Sequence, residues 1–131
     1  MGRLGLILLD TCALLWLAFE PEVLSPLAQT TLQTNSELAI SSISIWEIGI
    51  KVKKGKLQIP LSLSAFVKLL KKTAGFQIIP VEDQHWMASL ELDWNHPDPA
   101  DRVIVATAQL NNLPLITEDH AIRSFYHQTV W

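Results

Sequence analysis

Apolar residues fall along this chain in two alternating patterns. The short unbroken run "LGLILL" (4–9) suits a strand buried on both faces, and "FQIIPV" (76–81) and "LPLIT" (113–117) predict further strands. "LAISSIS" (38–44) is β-branched and alternating, which predicts a further strand. Between these runs lie longer stretches with helical spacing. "TCALLWLAFE" (11–20) predicts a helix with Leu14, Leu15 and Ala18 on one face and Pro21 beyond its end. "SPLAQTTLQTN" (25–35) predicts a second, with Ser25 as N-cap and Pro26 at the first helical position. "IWEIGIKVKKG" (45–55) has helical spacing with Gly55 as its C-cap, and "SLSAFVKLLKKTAG" (62–75) is amphipathic and stopped by glycine. "EDQHWMASLEL" (82–92), "PADRVIVATAQLNN" (99–112) and "EDHAIRSF" (118–125) read as helices. "NHPDP" (95–99) reads as a loop and "TVW" (129–131) as a last edge strand.

Strands alternating with helices predict an α/β domain with a mostly parallel central sheet flanked by helices. The 131 residues suit one domain spanning 1–131, and no repeat, linker or low-complexity segment interrupts them. At 49% hydrophobic the chain has the means to fold. A net charge of −3 argues against a generic nucleic-acid coat while leaving room for a local basic patch. The single cysteine, Cys12, excludes an internal disulfide and fits a reducing cytosol.

The opening apolar run is short of the roughly 20 residues a spanning helix needs. Asp10 near its centre would cost about 2.5–3.5 kcal/mol in a bilayer. A signal peptide would want an uninterrupted apolar segment. A cytoplasmic protein with no membrane role is the expectation.

Asp10 is therefore an anomaly, a carboxylate inside an apolar stretch that needs compensation. Ligands of open α/β sheets sit beyond the carboxyl ends of the strands. Asp10 directly follows the first strand. Glu47 lies in the first turn after the second, the only charged residue of "ISIWEIGI" (43–50). Asp119 follows "LPLIT" with Glu118 between. Asp101 opens the helix that feeds that strand, on an edge the sequence leaves open. Bunched carboxylates repel, and a hard divalent cation relieves them. Each acid also has a plainer role. Asp10 and Asp119 can cap the helices that follow them, Glu47 can occupy a solvated face, and Asp101 gains from the helix dipole. Asp98, with Pro99 next and Asp101 three residues on, has the pattern of an N-cap.

Seven of the ten basic residues, Lys51, Lys53, Lys54, Lys56, Lys68, Lys71 and Lys72, lie within 22 positions. They form either a solvated helix face or a phosphate-backbone track. Cys12 reads as a small buried hydrophobe, since no helper base is evident. The four histidines lack zinc spacing. His85 and His127 read as surface residues, and His96 and His120 as possible neighbours of the acids. The tryptophans read as core.

"LLDTCALLW" (8–16), "ISSISIWEIGIKVKKGKL" (40–57), "HPDPADRVIVATAQLNNLPLITED" (96–119) and the terminal "TVW" resemble, in order and spacing, the PIN-domain nucleases. More narrowly they are similar to the VapC toxins of bacterial toxin–antitoxin pairs. The resemblance implies a Mg²⁺- or Mn²⁺-dependent endoribonuclease that cleaves structured RNA such as tRNA. It implies Asp10, Glu47, Asp101 and Asp119 as catalytic and metal-holding acids, Thr117 as the hydroxyl beside the last acid, and Asp98 in support. Lys53, Lys54, Lys71, Lys72 and Arg102 are the candidate RNA contacts. A cognate antitoxin is implied, inserting a basic side chain among the acids, with "CALLWLAF" and "LAQTTL" as the expected docking groove. A homodimer is implied as well. Two positions depart from the family's habit: Cys12 stands where histidine is usual, and Ala100 where a bulkier residue is common.

Two other hydrolytic or signalling patterns fit less well. A receiver domain would want an acid pair after the first strand and a lysine after the last. A haloacid-dehalogenase-type phosphatase would want Asp-x-Asp, which "DTC" lacks. A catalytically inactive PIN-like binding module is the remaining alternative, and the presence of all four acids weighs against it.

Overall fold

The computed structural model describes residues 5–35 and 37–131. Leu4, at the start of the expected first strand, lies outside them. Five strands form one sheet: β1 (Leu6–Leu9), β2 (Glu37–Ser41), β3 (Phe76–Ile79), β4 (Leu115–Ile116) and β5 (Thr129–Val130). Their order is β3-β2-β1-β4-β5, and every pairing is parallel. The helices are α1 (Thr11–Phe19), α2 (Pro26–Thr34), α3 (Ile43–Lys53), α4 (Leu63–Lys72), α5 (Asp83–Glu91), α6 (Pro99–Leu110) and α7 (His120–Phe125). A 3-10 turn at Pro21–Val23, not anticipated from the sequence, links α1 to α2.

The unbroken apolar character of β1 follows from its central place. Ile7 and Leu9 enter one core with Ala13 and Leu14 of α1, Ala28 and Leu32 of α2 and Phe66 and Leu70 of α4. Leu8 faces the other way, into a second core with Val103, Ile104 and Ala108 of α6 and Ile122 of α7. β4 divides likewise, Ile116 to the first core and Leu115 to the second. A strand with helices on both faces has no side to leave polar. β5 is an edge strand, as expected.

Local signals set several ends. Ser25 and Ser62 accept from Ala28 N and Ala65 N, capping α2 and α4. Gly55 follows α3 at φ +71°, where a Cβ would be strained. The second strand is shorter than expected. The Ser41 hydroxyl accepts from Ile43 N and the Ser42 hydroxyl from Val81 N, so the chain turns into α3 two residues early. The face of α1 also differs. Thr11, Ala13 and Leu14 are buried while Ala18 is exposed, because a helix apolar all round gives no period to read.

His85 and the tryptophans require correction. His85 is buried, and its Nδ1 accepts from Glu82 N at the start of α5, a capping box with imidazole in the carboxylate's usual place. His127 is exposed, as expected. Trp46 and Trp86 are 58% and 47% exposed. They line an apolar cleft of about 370 Å³ with Ile43, Val81 and Pro99. Among the described residues no helix is long and apolar enough to cross a membrane.

Candidate active site

The sheet order reverses direction at β1, with β2 on one side and β4 on the other, and the crevice beyond the strand ends at that point is where ligands bind in such sheets. Asp10, Thr11, Cys12, Trp16, Glu47, Asp101, Glu118 and Asp119 line a cavity of about 130 Å³ there. The four predicted acids thus arrive from four separate elements. Asp101, whose edge the sequence left open, joins the other three.

Asp10 does two things at once. Oδ1 accepts from Ala13 N at 2.8 Å, capping α1, and Oδ2 accepts from the Thr117 hydroxyl at 2.5 Å. Asp10 is 6% exposed and Thr117 fully buried. Burial lifts the Asp10 pKa to about 6; the bonds from Thr117 and Ala13 pull down against it, and the charges of Asp101 and Asp119 add to the rise. Capping and membership of the acid cluster are therefore compatible roles of one carboxylate.

Glu47 is turned inward, not onto a solvated face. Its Oε1 accepts from the Thr11 hydroxyl at 2.5 Å. That uses the one Thr11 proton, so Ser44 Oγ, 2.8 Å away, must donate to Thr11. Lys51, one turn on, lies 3.8 Å from Oε2. Thr11 and Ser44 were missed in the sequence. The signal available was a hydroxyl directly after an anomalous acid, in an otherwise apolar run.

Asp98 caps α6, accepting from Asp101 N at 2.9 Å. Asp101 at the helix's third position places Oδ2 2.7 Å from His96 Nε2. Burial raises the Asp101 pKa to about 6; the His96 bond opposes this, and the charges of Asp98, Asp119 and Glu47 reinforce it. Asp119 caps α7 through Ile122 N at 2.9 Å and sits at the exposed rim. The Thr117 hydroxyl also accepts from Asp119 N, so it ties the first acid to the last.

Three expectations change here. Cys12 is an exposed residue at the cavity, not a buried hydrophobe. Its sulfur is nonetheless desolvated against the site; that effect, and then the Asp10 charge, push the thiol up to about 11, so it stays protonated and is no nucleophile near neutral pH. Arg102 leaves the RNA-contacting set. Its five N–H donors all go to main-chain carbonyls, of Ser89, Leu92, Trp94 and His96. The lysines divide. Lys51, Lys54 and Lys56 share a cleft of about 300 Å³ with Glu47, Asp98 and Pro99, beside the acids. Lys53 lines a neighbouring groove with Trp46 and Leu63. Lys71 and Lys72 close α4 just before Gly75, whose carbonyl pairs with Leu38 N at the start of the strands, the opposite edge of the sheet. His120 is exposed and has no side-chain bond among the described residues.

The donors suit a hard cation. They are carboxylate oxygens, and two of them are held near 6 by burial and mutual repulsion that a divalent charge would relieve. Among the described residues no three acid, histidine or cysteine side chains stand close enough together, as placed, to hold a metal ion. The arrangement is an open acidic crevice with room for solvent.

A family model described as "PIN domain" matches residues 7–128. "Ribonuclease VapC22" of Mycobacterium tuberculosis is 29% identical over 129 residues, covering 95% of this chain and 98% of that one. The solved "Toxin-antitoxin complex from Klebsiella pneumoniae" has a chain 25% identical, with a TM-score of 0.68 over 95% of this chain and 96% of its own. Two structures at 18% and 19% identity share the fold: VapBC2 from Rickettsia felis bound to a DNA fragment from its promoter and FitAcB from Neisseria gonorrhoeae. Their TM-scores are 0.63 and 0.61, each over 92% of this chain and 93% of its own.

Proposed function

The chain belongs to the PIN domain family, and we propose that it is the ribonuclease toxin of a toxin–antitoxin pair, a Mg²⁺- or Mn²⁺-dependent endoribonuclease acting on structured RNA such as tRNA. The observation that carries this reading is the convergence of Asp10, Glu47, Asp101 and Asp119 on one crevice. The similarity to a protein named a ribonuclease and to chains of toxin–antitoxin complexes supports it.

Asp10, Glu47 and Asp101 would hold the cation, with Asp119 completing the site from the rim. When bound, the cation supplies Lewis-acid charge at the scissile phosphate and activates water for in-line attack. The chain's own part is orientation. Thr117 and Ala13 fix both oxygens of Asp10, and Thr11 fixes Glu47. Above pH 6 both raised carboxyls are ionised and able to serve as ligands. No side-chain nucleophile is needed, and Cys12, held as a thiol, offers none. Lys51, Lys54 and Lys56 lie where they would meet the RNA backbone leaving the acids.

The partner reading follows from the same charge. An antitoxin arginine or lysine entering the crevice would be met by four carboxylates, which offset its desolvation. Besides Leu27 of α2, exposed on the helices where apolar docking was expected, self-association has a second candidate surface. Trp46 on α3 and Trp86, Met87 and Leu90 on α5 are all exposed and apolar, which supports a homodimer through these helices.

The test is cleavage of a tRNA pool by the purified chain with Mg²⁺, Mn²⁺ or EDTA, alongside Asp10→Asn. Metal-dependent cutting lost in the variant is the expected result. A wild-type chain that binds RNA without cutting it under any metal would favour the inactive module.

A further inference from the structure

The segment between α5 and α6 wraps around the start of α6, and its hold on that helix is specific. Arg102, directly after Asp101, sends its guanidinium back across the segment. Nε and Nη2 donate to Ser89 O at the end of α5, at 3.1 and 2.7 Å. Nη2 also donates to Leu92 O at 3.1 Å. Nη1 donates to Trp94 O and to His96 O, the latter at 3.0 Å. A planar fork with five donors is spent entirely on four carbonyls between Ser89, near the end of α5, and His96 in the loop.

The side chains of that loop form a stack. The His96 ring lies on Trp94, centroids 4.5 Å apart and planes 16° from parallel. Trp94 lies in turn on Phe125 of α7, at 4.8 Å and 12°. The stack leaves the imidazole little freedom but to point its edge at α6, where Nε2 meets Asp101 Oδ2 at 2.7 Å. Asp101 Oδ1 has no side-chain or main-chain partner among the described residues, and Asp101 lines the acid crevice.

We propose that His96 is a positioning residue for Asp101, holding one carboxylate oxygen so that the other faces the crevice, and that Arg102 anchors the loop that delivers it. The proposal rests on the metal-dependent reading above. A carboxylate on a helix's first turn otherwise has free rotamers. Fixing one oxygen selects the orientation in which the second is available to a cation, and outer partners of this kind typically change metal affinity by about 10–100-fold. Arg102 acts at one remove. Its backbone neighbour is the acid, its side chain holds the loop, and the loop carries the imidazole.

The experiment is calorimetric titration of Mn²⁺ into the full chain and its variants, with metal-free melting temperatures measured in parallel. His96→Ala should weaken Mn²⁺ binding by about 10–100-fold with little change in melting temperature. His96→Gln, whose side-chain amide can donate to the same oxygen, should restore much of the loss. Arg102→Lys should weaken binding in the wild-type background and add little in the His96→Ala background. Should Arg102→Lys fail to fold, the two His96 variants still decide the matter. Wild-type affinity in His96→Ala, or equal loss in His96→Ala and His96→Gln, would overturn the proposal while leaving the functional reading intact. A wild-type chain that binds no Mn²⁺ would overturn both.

Discussion

Thr117 at the end of β4 donates its hydroxyl to Asp10 at the end of β1, across 107 positions of sequence. The parallel pairing of Leu9 with Ile116 puts the two strand ends level, so the residues that follow them meet. The bond lies in a fully buried place, and Thr117 passes its oxygen on as acceptor to Asp119 N. One hydroxyl therefore fixes the central acid and the entry to the last one.

Thr117→Val keeps the shape and removes the hydroxyl. It leaves Asp10 Oδ2 and Asp119 N without their partner. The metal-free chain should lose about 1–3 kcal/mol at pH 7, the cost of unsatisfied buried polar groups. Urea unfolding measures it. Because the Thr117 bond holds the Asp10 pKa down, the acid limb of the cleavage profile should also move to higher pH. A variant as stable as wild type with an unshifted profile would show that the bond does neither.

The two raised acids set a pH dependence. Asp10 and Asp101 titrate near 6 in the folded chain, against 3.8 for the unperturbed carboxyl. Between these values the folded protein holds protons that the unfolded chain has released. Stability of the metal-free chain therefore falls as pH rises through that window and levels off above it. Its melting temperature should be higher at pH 5 than at pH 7. A divalent cation competes with the same protons, so Mn²⁺ should raise the melting temperature more at pH 7 than at pH 5. A metal-free melting temperature that climbs from pH 5 to 7 would contradict the burial of these charges.

Glu47→Gln separates charge from shape. Glutamine keeps an acceptor for the Thr11 hydroxyl. The Lys51 pair it loses is a 3.8 Å contact with a partly exposed lysine, worth about 0–1 kcal/mol. Melting temperature should stay level or rise as like charges are relieved. Cleavage should drop by about 100-fold or more, the scale of losing one preorganised electrostatic group. Gel assays of both proteins at equal concentration settle it, and wild-type cleavage would return Glu47 to a structural role.

The lysines give a paired comparison. Replacing Lys54 and Lys56 with Gln should weaken RNA binding and lower the slope of log affinity against log salt by about 0.7 for each contact to single-stranded phosphate. Replacing Lys71 and Lys72, at the far edge of the sheet, should change both much less. Equal effects from the two pairs would mean that the basic residues act only through net charge.

The chain's own pattern determined what depends on near neighbours. Short apolar or alternating runs marked the strands, Ser25-Pro26, Asp98-Pro99 and Gly55 marked helix ends, and alternation of strand and helix implied a parallel sheet. The rule that such sheets bind ligands beyond their strand ends places Asp10, Glu47 and Asp119 together from the sequence alone. Tertiary packing decided the rest, because direction and company are not local properties. Glu47 faces inward only because α3 crosses α1 where Thr11 can reach it. Asp101 joins the crevice only because α6 begins there. Arg102 looks like a free cation beside an acid until the end of α5 and the loop after it fold back to offer four carbonyls. Lys71 and Lys72 are near Lys54 along the chain, yet α4 carries them to the other edge. His85 is buried and Trp46 exposed against the habits of their residue types, since burial is set by what packs on a helix face and not by the side chain alone.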